Sequence, residues 1–406
     1  MAMRSSRPKW PAGLPGFWGM FTVGTATAII GPSLPLVMMM YNLSWAEVGV
    51  IFSAQFAGKL IAILLLSLWN WRQSSRSVTL AGSLLLGGGL LVTGYSPGWF
   101  GTLIGVGILG IGHGAVDAGF NEQFVRTYNQ GRNGAVAAGK WLNALHLLFG
   151  VGALIGPLLV YELSHGHPWK GPFYVTGVFA LLIPVLYLIT HRFGPTDATS
   201  SDRSVPLQAV DIAPPRMFIW MTVLAALVCF MFGGLETALG GWIYTFLTEG
   251  ADLSGERATF SVSVFWGLLA VGRLVSVWGV GYFGNSKWLR ILSILALAAL
   301  LAGWFAFDRD SATVMALAGL GLSGIFPTMI AWITGYRPHK SARLISVLIT
   351  GSTLGAVIVP WAVGEMASYQ GLEWSYGLLT AMAAVLLGLV VWLNWSANKL
   401  QAQQKI

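Results

Sequence analysis

Residues 77–116 read SVTLAGSLLLGGGLLVTGYSPGWFGTLIGVGILGIGHGAV, and no Asp, Glu, Lys or Arg interrupts them. A helix needs about 20 predominantly apolar residues to cross the hydrocarbon core of a bilayer. This stretch is too long for one crossing and suits two. Tyr95-Ser96-Pro97-Gly98 divides it, because Pro-Gly chemistry favours a turn. Charge-free runs recur outward from here, at 10–46, 141–161, 217–235, 344–364 and 374–398.

The whole chain has the same character. Of its 406 residues 55% are hydrophobic and 9% charged, and its mean hydropathy is +0.69. Soluble proteins carry about 25% charged residues, so a soluble globular fold is excluded, and the 13% aromatic content excludes disorder. One cysteine excludes a disulfide framework and a Cys-rich metal site. The pattern predicts an all-α membrane protein of twelve transmembrane helices, near 15–40, 46–69, 77–96, 99–125, 136–163, 170–191, 217–248, 257–284, 287–307, 311–335, 343–369 and 373–397. The first run is too long for a signal peptide and is read as a retained span.

The net charge of +8 points to orientation. With the N-terminus inside, the cytoplasmic loops collect eighteen bases and the outer loops only Lys170, Arg257 and Arg309, while Lys59 and Arg273 lie within spans. The positive-inside rule then places both termini in the cytoplasm of a multi-pass protein of the inner (plasma) membrane. Bases scattered in short clusters between apolar runs do not make a nucleic-acid surface, and a monomer in the bilayer is expected.

The longest polar stretch, 192–216, is rich in Pro, Ser, Thr and Asp and reads as a cytoplasmic linker. It separates an N-terminal half, 1–191, from a C-terminal half, 217–406, with six spans each. The halves echo one another: Gly58-Lys59-Leu60 with Gly272-Arg273-Leu274, Gly152–Pro157 (GALIGP) with Gly355–Pro360 (GAVIVP), and glycines 110, 112 and 114 with 319, 321 and 324. Two repeats around a midplane site is how many secondary transporters achieve alternating access. Most of these glycines serve helix packing in any reading.

Ionisable groups within spans are costly, at least ~2.5–3.5 kcal/mol at the bilayer centre, and face the bundle interior. They are Lys59, Asp117, Glu236 and Arg273, with Glu122 and Glu365 nearer helix ends. In the fourth span His113, Asp117 and Asn121 follow at four-residue steps and share a face. A carboxylate beside an imidazole suits a proton relay, and a structural polar cluster is the alternative. Asn143 and His146 share a face of the fifth span; their partner is either a substrate hydroxyl or the fourth span. In the seventh span Glu236, Gly240 and Tyr244 share a face. Gly240-Gly241 is expected to weaken the helix, with Trp242 and Tyr244 stacking on a sugar ring or, for Trp242, joining the interfacial aromatic belt. Gln55 and Lys59 form another i, i+4 pair, and Lys59 either snorkels or pairs with a carboxylate such as Asp117. Structural ion pairing is expected of Arg273.

The stretches GLETALGGWIYTF (234–246), GLGLSGIFPTM (319–329), SVSVFWGLLAVGRL (261–274) and LNALHLLFGVGALIGPLL (142–159) resemble the fucose:proton symporter branch of the major facilitator superfamily, including its glucose/mannose:proton symporters and the animal sodium-dependent glucose transporter relatives. The resemblance covers nearly the whole chain. It implies the fold of that superfamily and proton-coupled hexose uptake, with Asp117 and Glu236 in proton coupling and Gln55, Asn143, Trp242 and Thr328 as sugar contacts. It implies no cofactor, and leaves Na+ as the alternative to H+. The superfamily's loop motif is eroded to SLWNWRQSSR (67–76), keeping Arg72 and Arg76. The first span lacks the acid that some fucose symporters carry there, which makes fucose itself less expected.

Two other functions compete with uptake of a sugar. A proton-driven efflux antiporter for drugs or lipophilic solutes draws on the partial signature GALIGP, whose further glycine pair is missing. An intramembrane hydrolase lacks support, since neither G-x-S-x-G nor H-E-x-x-H occurs, and no phosphate-binding loop serves an ATP-driven pump.

Overall fold

The computed structural model describes residues 10–68, 75–128, 134–164, 169–191, 215–306, 311–336 and 341–403. These residues are helical almost throughout. We number the membrane-crossing helices α1 to α12. The first, α1, has two limbs, Trp10–Ala28 and Ile30–Tyr41, bent by 41°. It is followed by α2 (Trp45–Leu68), α3 (Ser75–Tyr95), α4 (Trp99–Tyr128), α5 (Gly134–Ser164), α6 (Gly171–His191) and α7 (Pro215–Thr245). The continuous helical stretch Gly255–Phe305 turns at Gly284 (φ 75°), which divides it into α8 (255–283) and α9 (285–305). The limbs Ser311–Leu322 and Ile325–Tyr336 make α10; α11 is Ser341–Gln370 and α12 Leu372–Gln403. Twelve crossings among the described residues match the number and order expected.

Local chemistry ends these helices. Asn42 adopts a left-handed conformation (φ 51°), and Leu43 N–H donates to Met38 O, closing α1. Ser44 and Glu47 then open α2 with a reciprocal cap: the Ser44 N–H donates to Glu47 Oε2 at 2.8 Å, and the Glu47 N–H to Ser44 Oγ at 3.3 Å. The expected Tyr95–Gly98 turn separates α3 from α4, with Ser96 Oγ donating to Gly98 O.

The two-fold likeness of the halves is physical. A Cβ on Gly24 of α1 would sit 2.0 Å from Phe149 O of α5, and one on Gly152 would sit 1.9 Å from Phe21 O. In the other half a Cβ on Gly233 of α7 would sit 2.1 Å from Ser352 O of α11, and one on Gly355 would sit 2.0 Å from Phe230 O. One sequence offset relates Gly24 to Gly233 and Phe21 to Phe230; a second relates Gly152 to Gly355 and Phe149 to Ser352. The same backbone-on-backbone crossing, open only to glycine, is thus built twice.

The halves meet through α1 and α7, α2 and α11, and α5 and α8. At the end where α1 turns into α2 the seal is tight. Gly31 lies against Gly240 O and Gly241 O, Ser53 Oγ donates to Val357 O at 2.7 Å, Ala46 N–H donates to Ser368 Oγ at 2.9 Å, and the Trp45 ring of α2 meets the Trp242 ring of α7 edge-to-face. The expected weakening of α7 at Gly240-Gly241 is not found. The helix runs unbroken through Thr245, then widens into one π turn, Phe246–Gly250. The two glycines serve close approach instead, since Cβ atoms there would strike the rings of Trp266 and Phe52 at 2.3 Å.

The linker 192–214 and the bases Arg4, Arg7, Lys9, Arg72, Arg132, Arg192, Arg203, Arg309, Arg337, Lys340 and Lys405 lie outside the described residues.

Candidate functional site

Two ion pairs join different helices of the bundle, one in each half, while a third, Arg126 with Glu122, lies along α4 itself. In the first, Lys59 of α2 reaches Asp117 of α4, Nζ to Oδ2 at 3.2 Å, with 18% and 26% of the two side chains exposed. In the second, Arg273 of α8 reaches Glu236 of α7, Nη2 to Oε1 at 2.8 Å, with 26% and 18% exposed. Each pair satisfies the rule that a charge placed inside a membrane bundle needs an opposite charge beside it. Lys59 therefore pairs rather than snorkels, and Arg273 forms the ion pair expected of it.

A polar track extends from the first pair in both directions. Lys59 Nζ lies 3.0 Å from His113 Nε2. An ammonium only donates, so this imidazole nitrogen accepts and the ring proton sits on Nδ1. On the other side Asn121 Nδ2 donates to Asp117 Oδ1 at 2.8 Å, and to Asp117 O. Asn121 Oδ1 in turn lies 3.2 Å from His146 Nε2 of α5. An amide oxygen only accepts, so His146 donates. Both oxygens of Asp117 consequently receive a donor, Lys59 on one and Asn121 on the other. The i, i+4 spacing of His113, Asp117 and Asn121 produces this row, because four residues advance a helix by little more than one turn.

The track ends at the seam between the halves. Asn143, His146 and Leu147 of α5 and Ala270, Arg273 and Leu274 of α8 line a cavity of about 30 Å³ there. Asn143 is exposed at its rim. The cavity places His146, at the end of the first network, opposite Arg273 of the second.

The remaining expected residues are less concentrated. Gln55, one turn before Lys59, is fully buried, and neither amide atom has a hydrogen-bond partner among the described residues. Trp242 is also fully buried, with its N–H on Pro360 O and its ring edge-to-face with Trp45 in the seal. Tyr244 is half-buried near the π turn, its hydroxyl 3.0 Å from where a Cβ on Gly255 would lie. Thr328 is buried in the second limb of α10. Ion pairing of Arg273 is as expected, and the structure supplies its partner, Glu236, which no spacing in the sequence identifies.

A bundle of twelve crossings, duplicated about a seam on which the interior charges converge, defines a membrane transporter built of two repeats. The chain matches the Major Facilitator Superfamily over residues 16–316, and it belongs to that family. It is 23% identical over 388 residues to the glucose/mannose transporter GlcP of Bacillus subtilis, covering 93% of each chain. It is 22% identical over 396 residues to the sodium-dependent glucose transporter 1 of Danio rerio, covering 86% of this chain and 63% of that one. Among solved structures the fold matches a bacterial homologue of the human lysosomal transporter Spinster (TM-score 0.76, 15% identity, 98% and 99% of the two chains). It also matches the transporter FucP in its outward conformation (TM-score 0.64, 16% identity, 95% and 99%).

Proposed function

We propose that this transporter is a secondary active symporter that takes up a hexose-like sugar with a proton, by alternating access across the plasma membrane, with both termini cytoplasmic. The observation that carries the reading is the filled coordination of Asp117, whose two oxygens accept from Lys59 and Asn121. A proton arriving there displaces a donor, and Lys59 is the donor whose attraction depends on the negative charge. Protonation thus releases α2 from α4 and changes a contact inside the N-terminal half. Glu236 and Arg273 offer the same chemistry in the other half. The names of the relatives found, a glucose/mannose transporter and a sodium-dependent glucose transporter, support a sugar and leave Na+ as the alternative ion.

In this reading the sugar lies at the seam. Gln55 offers an amide with no protein partner, Asn143 and His146 face the cavity, and Thr328 and Tyr244 contribute hydroxyls from the other half. Trp242 becomes available for stacking when the seam opens and its ring leaves Trp45 of α2. The glycines of GALIGP are used in packing against α1, which gives the efflux reading no independent support.

The test is uptake of labelled glucose and mannose into proteoliposomes carrying an imposed gradient of H+ or of Na+. Uptake driven by inward H+ and abolished by a protonophore is expected. Uptake driven by Na+ alone would reassign the ion, and failure of either gradient to move any hexose would overturn the reading.

A further inference from the structure

Glu365 of α11 takes no part in either ion pair, and it has no hydrogen bond or ion pair among the described residues. It lines an open groove of about 380 Å³ between α11 and α12, together with Trp361, Met366, Tyr369, Gln370 and Leu378. Trp361, Glu365 and Tyr369 follow at four-residue steps, so ring, carboxylate and ring stand in one row along α11. Trp361 is 41% and Tyr369 81% exposed. Upstream, the exposed Ile358 and Leu354 continue the row as an apolar strip. The helix ends at Gln370, where Gly371 (φ 91°) makes the turn into α12.

Depth and chemistry agree. At a rise of about 1.5 Å per residue, Glu365 lies roughly 7 Å inside the helix end, within the headgroup layer of a bilayer. A carboxylate there needs a cation, yet the groove lining contains no Lys or Arg. Two exposed aromatic faces beside the carboxylate suit an ammonium group, which is drawn to ring quadrupoles as well as to the charge. Gln370 supplies an amide donor for a phosphate, and the strip from Trp361 to Leu354 lies where an acyl chain would run.

We propose that this groove seats the ammonium headgroup of a zwitterionic phospholipid, with the ammonium on Glu365 between Trp361 and Tyr369. The groove rejects anionic headgroups, because Glu365 would face a phosphate with no compensating cation. The site lies outside the ion-pair seam, and it does not depend on which solute is carried.

Native mass spectrometry of the purified full-length protein, titrated with phosphatidylethanolamine or phosphatidylglycerol of equal acyl composition, tests the assignment. The expected result is retention of phosphatidylethanolamine at least fivefold over phosphatidylglycerol. In Glu365→Gln the preference falls to near one, and Trp361→Leu reduces it. Melting in lipid-free detergent should be unchanged in both variants, which separates a lost seat from a lost fold. Soluble phosphoethanolamine should not compete at the same concentration, since the strip beyond Trp361 is then empty. Equal retention of the two lipids, a preference that survives Glu365→Gln, or full competition by phosphoethanolamine would each overturn the proposal.

Discussion

Lys59 of α2 and Arg273 of α8 lie on corresponding helices of the two halves, about one turn apart, and each is neutralised by a carboxylate that has no counterpart in the other half. The offset that carries Gly110 to Gly319 carries Asp117 to Phe326, which stacks on Phe232. The offset that carries Gly24 to Gly233 carries Thr27 to Glu236, and Thr27 merely bonds back to Val23 O. The scaffold is duplicated while its interior charges are not. Under the proposed alternating access, a symmetric frame would let the halves rock about their seam. In the proposed mechanism, acids placed on α4 in one half and on α7 in the other would let protonation loosen a different helix pair in each.

Asp117→Asn should abolish uptake driven by a pH gradient while leaving sugar exchange at equal pH measurable, because the asparagine cannot take the proton but still accepts from Lys59. Removing one partner of a buried pair costs about 3–5 kcal/mol. Lys59 retains His113 as an acceptor, so a loss near the lower end, about 3 kcal/mol, is expected in thermal unfolding. The double variant Lys59→Met with Asp117→Asn should recover much of that stability and none of the coupling. Proton-driven accumulation by either variant would remove Asp117 from the coupling path.

Gln55→Leu separates folding from function in the opposite sense. The amide is buried without partners, and an unsatisfied buried polar group costs about 1–3 kcal/mol. A leucine of similar bulk should therefore raise the melting temperature. If Gln55 meets a sugar hydroxyl, the same change should weaken hexose binding tenfold or more, measured as loss of ligand-induced thermal stabilisation. A more stable variant with unchanged binding would place Gln55 outside the sugar site.

The residues differ in how far their positions could be read beforehand. Span number and the GALIGP/GAVIVP repeat were legible because bilayer thickness fixes helix length, and because repeats repeat their close-packed glycines; the Gly-cation-Leu triplets instead fall one turn apart. The row His113, Asp117, Asn121 was legible because helical spacing fixes it. Its extension to His146 was one of two open choices, since no local rule says which helix faces Asn143 and His146. The Glu236–Arg273 pair joins α7 to α8 across more than thirty residues, and neither helix's own periodicity reveals the other's rotation. Gly240-Gly241 misled for the same reason. Glycine pairs weaken an isolated helix, but here the rings of Trp266 and Phe52 fill the space beside them and hold α7 straight.

Packing glycines predict a sharp contrast between sites. Gly24→Val would drive a side chain into Phe149 O, and Gly233→Val would drive one into Ser352 O in the second half. Both should lower folded yield severely, in line with overpacking costs of about 1–3 kcal/mol or more. Gly88 has no atom within 4 Å of a would-be Cβ, and Gly88→Ala should be neutral or stabilising by up to about 1 kcal/mol. Size-exclusion profiles of the three variants would expose a failure of the duplicated-crossing argument if Gly24→Val and Gly233→Val behaved like Gly88→Ala.

The seal at the α1–α2 end can be opened selectively. Ser53→Ala removes the bond from α2 to Val357 O of α11, a contact between the halves that exists only while they are closed at this end. At about 0.5–1.5 kcal/mol for a hydrogen bond, this change should shift the equilibrium two- to tenfold toward the state open at that end. Gly31→Val should act more strongly, because a Cβ there would sit 2.7 Å from Gly241 O and the closed contact could not form. The native Cys229 is buried, so cysteines introduced beside the seal would report with little background. Spin-label distances between α2 and α11 should lengthen in the order wild type, Ser53→Ala, Gly31→Val, and transport by Gly31→Val should fall because the cycle stalls open. Unchanged distances in Gly31→Val would mean that this contact does not gate the seam.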